Sequence, residues 1–327
     1  MTIAVIQPGG AGGPVQPCPK APAPHPCQGI GMSAPAEVDA FANEMAKLQQ
    51  DWPFLKATDR LARLQAMVDT RAAKAGFPPP SVIAPKGLPY SGLLQFKRWE
   101  IAINSSLVQG ERLSSEQAAR LGDTLYHEAR HAEQWSLIAK KRAGDGLAAE
   151  QIYYELQVAE DVAIDATKQP LGLSDARRPC ADALHKSIYG AGRVARNTTL
   201  NNLEEHGAAC ALANEDHERA VAEEKRLKAE FLRHDQSYTA SKEGKPPPTE
   251  AELHTLIKRR NDSAAKLRTA QLRSAECQRT ADAARQTYSK TYTDYRTLPE
   301  EADAWDSGGR TSTAILARLS EGNHGVA

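Results

Sequence analysis

Proline placement constrains this chain more than any other feature of its sequence. Proline and glycine crowd residues 1–36, as in Gln7-Pro8-Gly9-Gly10 and Pro17-Cys18-Pro19. A ring-locked φ and a missing N–H keep such a segment out of helix, so a flexible, extended arm is expected there. The triplets Pro78-Pro79-Pro80 and Pro246-Pro247-Pro248 cut the remainder, while the stretch from Ser114 to about Lys141 holds no proline. Composition says what fills the gaps. Hydrophobic residues make up 41% of the chain but aromatics only 6%, which favours helices packed through small side chains over an all-β core. The expected fold class is mainly α with a small β element.

The 41 basic and 41 acidic residues cancel to a net charge of +0, which removes the electrostatic footprint of a nucleic-acid binder. No apolar run reaches membrane-spanning length, and the N-terminus lacks the basic start and apolar stretch of a secretory signal. Synthesis is therefore expected to leave the chain in the cytoplasm. The five cysteines, Cys18, Cys27, Cys180, Cys210 and Cys277, form no Cys-x-x-Cys pair, so a scaffold that depends on disulfides is not expected. Cys18 with Cys27 is the one pairing the spacing suggests, should the protein be exported.

Helical spacing runs through Val38, Phe41, Met45 and Leu48, then through Leu61, Leu64, Met67 and Val68, with Trp52-Pro53 interrupting. Trp99, Ile101 and Ile103 alternate with polar or small residues, as a half-buried strand would. Ser114 and Gln117 form a capping box that opens a helix reaching about Lys141. Further helices are expected over about Ala148 to Lys168 and from near Asp182, loosened by Gly190 and Gly192. Beyond Asn201 the chain is densely charged. Its sparse apolar positions Val221, Leu227, Phe231, Leu253, Ile257 and Leu267 fit an antiparallel helical hairpin with a narrow seam. The expected organisation is an arm over 1–36, a core over 37–200, the hairpin over 201–292 and a segment over 293–327 that returns to the core.

Chemistry concentrates in Tyr126-His127-Glu128-Ala129-Arg130-His131, a His-Glu-x-x-His sequence inside the proline-free helix. One helical turn separates His127 from His131, so both imidazoles project from one face and can grip a zinc ion, with Glu128 beside them. Bound zinc acidifies water, and Glu128 is placed to take the proton and pass it to a leaving amine. With nine histidines in the chain, this spacing seldom arises by accident.

The stretch resembles the active-site helix of the zincin metallopeptidases. The resemblance covers this helix and the preceding strand, which in such enzymes holds an extended substrate by main-chain pairing. It implies a zincin-like core with the long hairpin inserted, a Zn2+ cofactor and hydrolysis of a protein or peptide substrate. The metzincin branch would need Gly at position 134 and His at position 137, where Gln134 and Leu137 stand, and no methionine follows Met67 for a Met-turn. A gluzincin-like arrangement with a third, glutamate ligand fits better. The segment Leu298-Pro299-Glu300-Glu301-Ala302-Asp303-Ala304-Trp305 resembles the helix that brings this ligand. Thr297 with Glu300 reads as a capping box, which leaves Glu301 as the preferred metal ligand. Glu300, Glu155, Glu160, Asp161 and Asp165 are the rivals. Asp303 is a candidate partner for a ligating imidazole. Tyr189 is the candidate oxyanion donor, with Tyr126 as the alternative.

The proline-rich arm beside a metallopeptidase motif is similar in architecture to bacterial toxin effectors exported by specialised secretion systems. That likeness implies an immunity protein and a secretion-apparatus component as partners. The competing expectation is a non-catalytic helical interaction protein, with its hairpin binding a partner and its histidines holding structural zinc or nothing.

Overall fold

The proline-free stretch forms the axis of the fold. In the computed structural model, which describes residues 26–88, 90–243 and 247–323, helix accounts for 77% and strand for 4%. In chain order the elements are α1 (Pro35–Asp51), α2 (Ala57–Ala75), β1 (Ser81–Ile83), β2 (Gly92–Gln95), β3 (Glu100–Ile103), α3 (Ser106–Gln109), α4 (Ser115–Gly144), α5 (Ala149–Leu156), α6 (Glu160–Lys168), α7 (Arg178–Ile188), α8 (Arg193–Glu243), α9 (Glu250–Arg296) and α10 (Pro299–Asn323). They divide into two units, one of residues 1–196 with 296–327 and one of residues 197–295.

In the first unit α4 is the central rod. Its capping box closes as its sequence predicts: Ser114 Oγ accepts from Gln117 N at 3.2 Å, and Gln117 Oε1 accepts from Ser114 N at 2.9 Å. Every residue from Thr124 to Lys141 is buried, because α1, α2, α6, α7, α10 and the sheet all pack on this helix. Leu121, Leu125 and Ile138 are fully enclosed, each contributing roughly 1.5–3 kcal/mol of apolar burial. A helix covered on all sides yet carrying His127, Glu128, Arg130, His131, Glu133, Gln134 and Lys140 must supply partners for each polar group inside the protein.

The sheet has the order β1-β3-β2, with β1 parallel and β2 antiparallel to β3. The strand read from the sequence is therefore the central one, and the edge that packs on α4 is β2. Residues 148–168 form two helices instead of one. Gln157 turns the chain with φ +54°, which lets both apolar sets, Ile152 with Leu156 and Val162 with Ala163 and Ala166, be buried.

Two further expectations are corrected here. The arm ends earlier than residue 36: Cys27, Met32 and Ser33 are buried and α1 begins at Pro35, while residues 1–25 of the expected arm lie outside the described residues. The chain also contains a disulfide, Cys27–Cys180, joining residues 153 apart. Cys27 thus pairs far along the chain and not with Cys18, which is outside the described residues.

In the second unit α8 and α9 run antiparallel, as the pairs His206 with Thr291, Asn214 with Arg285 and Asp235 with Arg260 require. The seam departs from the expected one at Val221, which is 42% exposed. The buried positions are the expected Leu227 together with Leu203, Cys210, Ala213 and Ala220 on α8, and Ser263, Ala270, Ser274 and Ala281 among others on α9. Spacings of mostly seven residues with small side chains let the two helices approach closely.

Candidate metal centre

His127 and His131 stand one turn apart on α4 with their Nε2 atoms 3.1 Å apart. Glu301, in the first turn of α10, places its Oε2 3.7 Å from His127 Nε2 and 3.4 Å from His131 Nε2. All three residues are at most 2% exposed, and their ligand atoms lie within 4.8 Å of one another. Donors bound tetrahedrally at zinc–nitrogen distances of 2.0–2.1 Å would lie roughly 3.3 Å apart, so the observed 3.1–3.7 Å spacing suits three ligands of one ion. The group could hold a metal, and Glu301 is the acid that completes it.

Close approach of α10 to α4 makes this possible. Gly308 lies two turns beyond Glu301 on the same face. A Cβ there would fall 2.2 Å from Asp123 Oδ1 and 3.4 Å from His127 Cβ. Gly122 does the same on α4, where a Cβ would fall 2.3 Å from Ile315 Cδ1. Sequence reasoning missed both glycines, although Gly308-Gly309 within a helix was a visible signal.

Behind the imidazoles lies a hydrogen-bonded layer. His131 Nδ1 meets Gln134 Oε1 at 2.8 Å. Gln134 Nε2 donates to Glu300 O at 2.9 Å and to Asp303 Oδ2 at 2.8 Å. Asp303 therefore serves the imidazole through Gln134. Arg130 faces away from the group, donating from Nε to Asp303 at 2.7 Å and from Nη1 to Glu133 at 2.5 Å. Burial and the neighbouring His131 push the His127 imidazole well below its ordinary pKa. His131 moves the opposite way, because the Glu301 carboxylate outweighs the cost of burial. Two ring nitrogens thus stand beside one buried carboxylate.

Glu128 faces the sheet. Its Oε2 accepts from Leu94 N at 2.8 Å, and that N–H points away from β3 in the antiparallel alternation set by the Ser91–Asn104 pair. Gly92 lets β2 rest on α4, since a Cβ there would meet Thr124 Cγ2 at 2.4 Å. Burial, reinforced by Glu301, pushes the Glu128 carboxyl up to about 8. Its Oε1 is buried and has no hydrogen-bond partner among the described residues.

The remaining candidates are placed elsewhere. Glu300 is bound by Ser187 Oγ at 2.8 Å and by Arg196. Glu155 pairs with Arg142 at 2.8 Å and Asp165 with Lys140 at 3.3 Å, while Glu160 and Asp161 are exposed. Tyr126 donates to Met32 O. Tyr189 donates to Leu156 O at 2.9 Å and accepts from Trp135 Nε1 at 3.2 Å, so its hydroxyl is not among the atoms brought to the histidine pair.

No family model, curated protein or solved structure matches the chain.

Proposed function

We propose that this chain is a zinc-dependent hydrolase of peptide or amide bonds, with His127, His131 and Glu301 as ligands and Glu128 as the base. The observation that carries it is the convergence of three buried donor atoms beside a carboxylate whose Oε1 has no partner. Zinc held there would polarise the scissile carbonyl and acidify water. Glu128 is anchored by Leu94 N through one oxygen, which leaves the other to accept a proton and later release it to the leaving amine. A nearby cation stabilises the carboxylate form of Glu128, bringing its raised pKa towards the range a base needs at neutral pH. The Cys27–Cys180 disulfide supports action in an oxidising compartment, as an exported effector would meet.

The burial of all three ligands and of Glu128, at most 2% exposed, favours a second reading: a closed structural metal site in a helical interaction protein. Metal analysis of the purified chain, with hydrolysis of a peptide library by wild type and Glu128→Gln, separates the two. The hydrolase reading expects one zinc per chain in both proteins and a loss of activity on the order of a hundredfold or more in the variant. Equal activity in both, or no metal, would end it.

A further inference from the structure

Residues 27–33 belong to neither the sheet nor a long helix, yet Cys27, Met32 and Ser33 are at most 1% exposed. Polar contacts seat this strap on α4. Met32 N donates to Glu133 Oε2 at 2.9 Å, and Arg130 donates to Ile30 O at 3.0 Å and Cys27 O at 3.3 Å. Gly31, at φ +54°, sits so close under the Glu133 carboxylate that a Cβ there would collide with it. The strap's covalent tie is the disulfide from Cys27 to Cys180 in the first turn of α7.

An unbroken series of contacts leads from that tie to a metal ligand. Arg130 is held by the strap carbonyls and binds Asp303. Asp303 and the Glu300 carbonyl take the amide nitrogen of Gln134, which forces Gln134 Oε1 towards His131 Nδ1. With an acceptor facing it, Nδ1 carries a proton, and Nε2 is the nitrogen turned to Glu301 and His127.

We infer that the Cys27–Cys180 disulfide controls the metal group, by fixing through Arg130, Asp303 and Gln134 which ring nitrogen of His131 faces Glu301. This rests on the metal site of the hydrolase reading and adds its regulation. A dithiol reductant supplies two electrons and two protons. One of its sulfurs attacks the bond, Cys27 and Cys180 leave as free thiols, and the reductant closes into its own disulfide. The freed strap withdraws two acceptors from Arg130, which keeps its pair with Glu133 but holds Asp303 less firmly, and Gln134 can turn its amide. Where thiols stay reduced the chain then holds metal weakly, and where disulfides persist it holds metal tightly.

The test uses the full chain with nitrogen-15-labelled histidine, oxidised and after dithiothreitol, with a gain of two titratable thiols confirming reduction. In the zinc-free oxidised protein, brought above the raised His131 pKa of about 9 so that the ring is neutral, His131 should show one tautomer, protonated at Nδ1. After reduction the tautomers should mix, and zinc affinity measured against a chromogenic chelator should fall on the order of 10–100-fold. An unchanged tautomer and affinity would overturn the inference. If reduction abolishes the helical circular dichroism signal, Arg130→Lys decides with the disulfide intact, since an ammonium cannot span the acceptors a guanidinium holds. Mixed tautomers support the coupling, and a retained single tautomer overturns it. An oxidised chain that binds no zinc but changes tautomer on reduction would end the hydrolase reading and leave the coupling standing.

Discussion

Gly308 and Gly309 are neighbours with opposite constraints, and they test the closeness of α10 to α4 at the residue scale. A Cβ on Gly308 would fall 2.2 Å from Asp123 Oδ1 and 3.2 Å from the Asp123 carbonyl, whereas one on Gly309 would meet nothing within 4 Å. Gly308→Ala should therefore cost roughly 1–3 kcal/mol in urea denaturation and reduce bound metal, because α10 must move off His127. Gly309→Ala, in an exposed helix interior, should instead gain about 0.5–1 kcal/mol. Equal effects at both positions would contradict this packing. Within the site itself, Glu301→Gln keeps the shape but removes the charge that raises His131, so metal stoichiometry should fall well below that of wild type. At this scale the histidine pair was legible because a helical turn dictates its geometry. Gly308 was visible as a helical glycine but its purpose was not, because Asp123, the side chain it accommodates, lies on a different helix.

Among the elements, α4 bears the greatest burden, and its C-terminus is secured by a charge cluster. Asp145 accepts from Lys141 at 2.7 Å and Arg142 at 3.0 Å, and also pairs with Arg178 of α7. Partial burial alone would raise its pKa, but these cations outweigh it and hold the carboxyl at about 2, below its ordinary 3.8. Its stabilising contribution is thus complete above about pH 4 and is lost as the pH falls towards 2. Thermal unfolding of Asp145→Asn should show a Tm a few degrees below wild type at neutral pH, with the gap closing as the pH approaches 2. A constant gap would refute the ionic origin. The elements also divide by how clearly the sequence announced them. α4 carried its capping box and a long proline-free run, and β3 carried clean alternation. β1 (Ser81-Val82-Ile83) and β2 (Gly92-Leu93-Leu94-Gln95) set apolar residues side by side, so no alternation registers. The break at Gln157 escaped notice because a left-handed glutamine leaves no mark comparable to proline or glycine.

Considered as a whole, the molecule keeps the metal group and every hydrogen-bonded partner named for it outside residues 197–295. Arg196 bonds to Glu300, so the chain ends left by removing 197–295 lie near each other. Joining Arg196 to Arg296 through a short Gly-Ser linker should leave metal stoichiometry and the helicity of the remaining unit intact, as read by metal analysis and circular dichroism. Loss of metal on excision would show that the hairpin takes part in building the site. The hairpin's existence was legible from its charge density and its central prolines, but its seam was not, because alanine, serine and cysteine bury little area and attract no attention in a hydrophobic pattern. The return of residues 296–323 to α4, which delivers Glu301, was legible only through the resemblance of the Glu300 segment to a ligand-bearing helix. Anomalous diffraction at the zinc edge from crystals of the full chain grown with zinc tests the central claim most directly. The expected result is a single strong peak about 2.0–2.2 Å from His127 Nε2, His131 Nε2 and a Glu301 oxygen. A map without that peak, or with the two rings turned apart and the space between them filled by side chains, would contradict it.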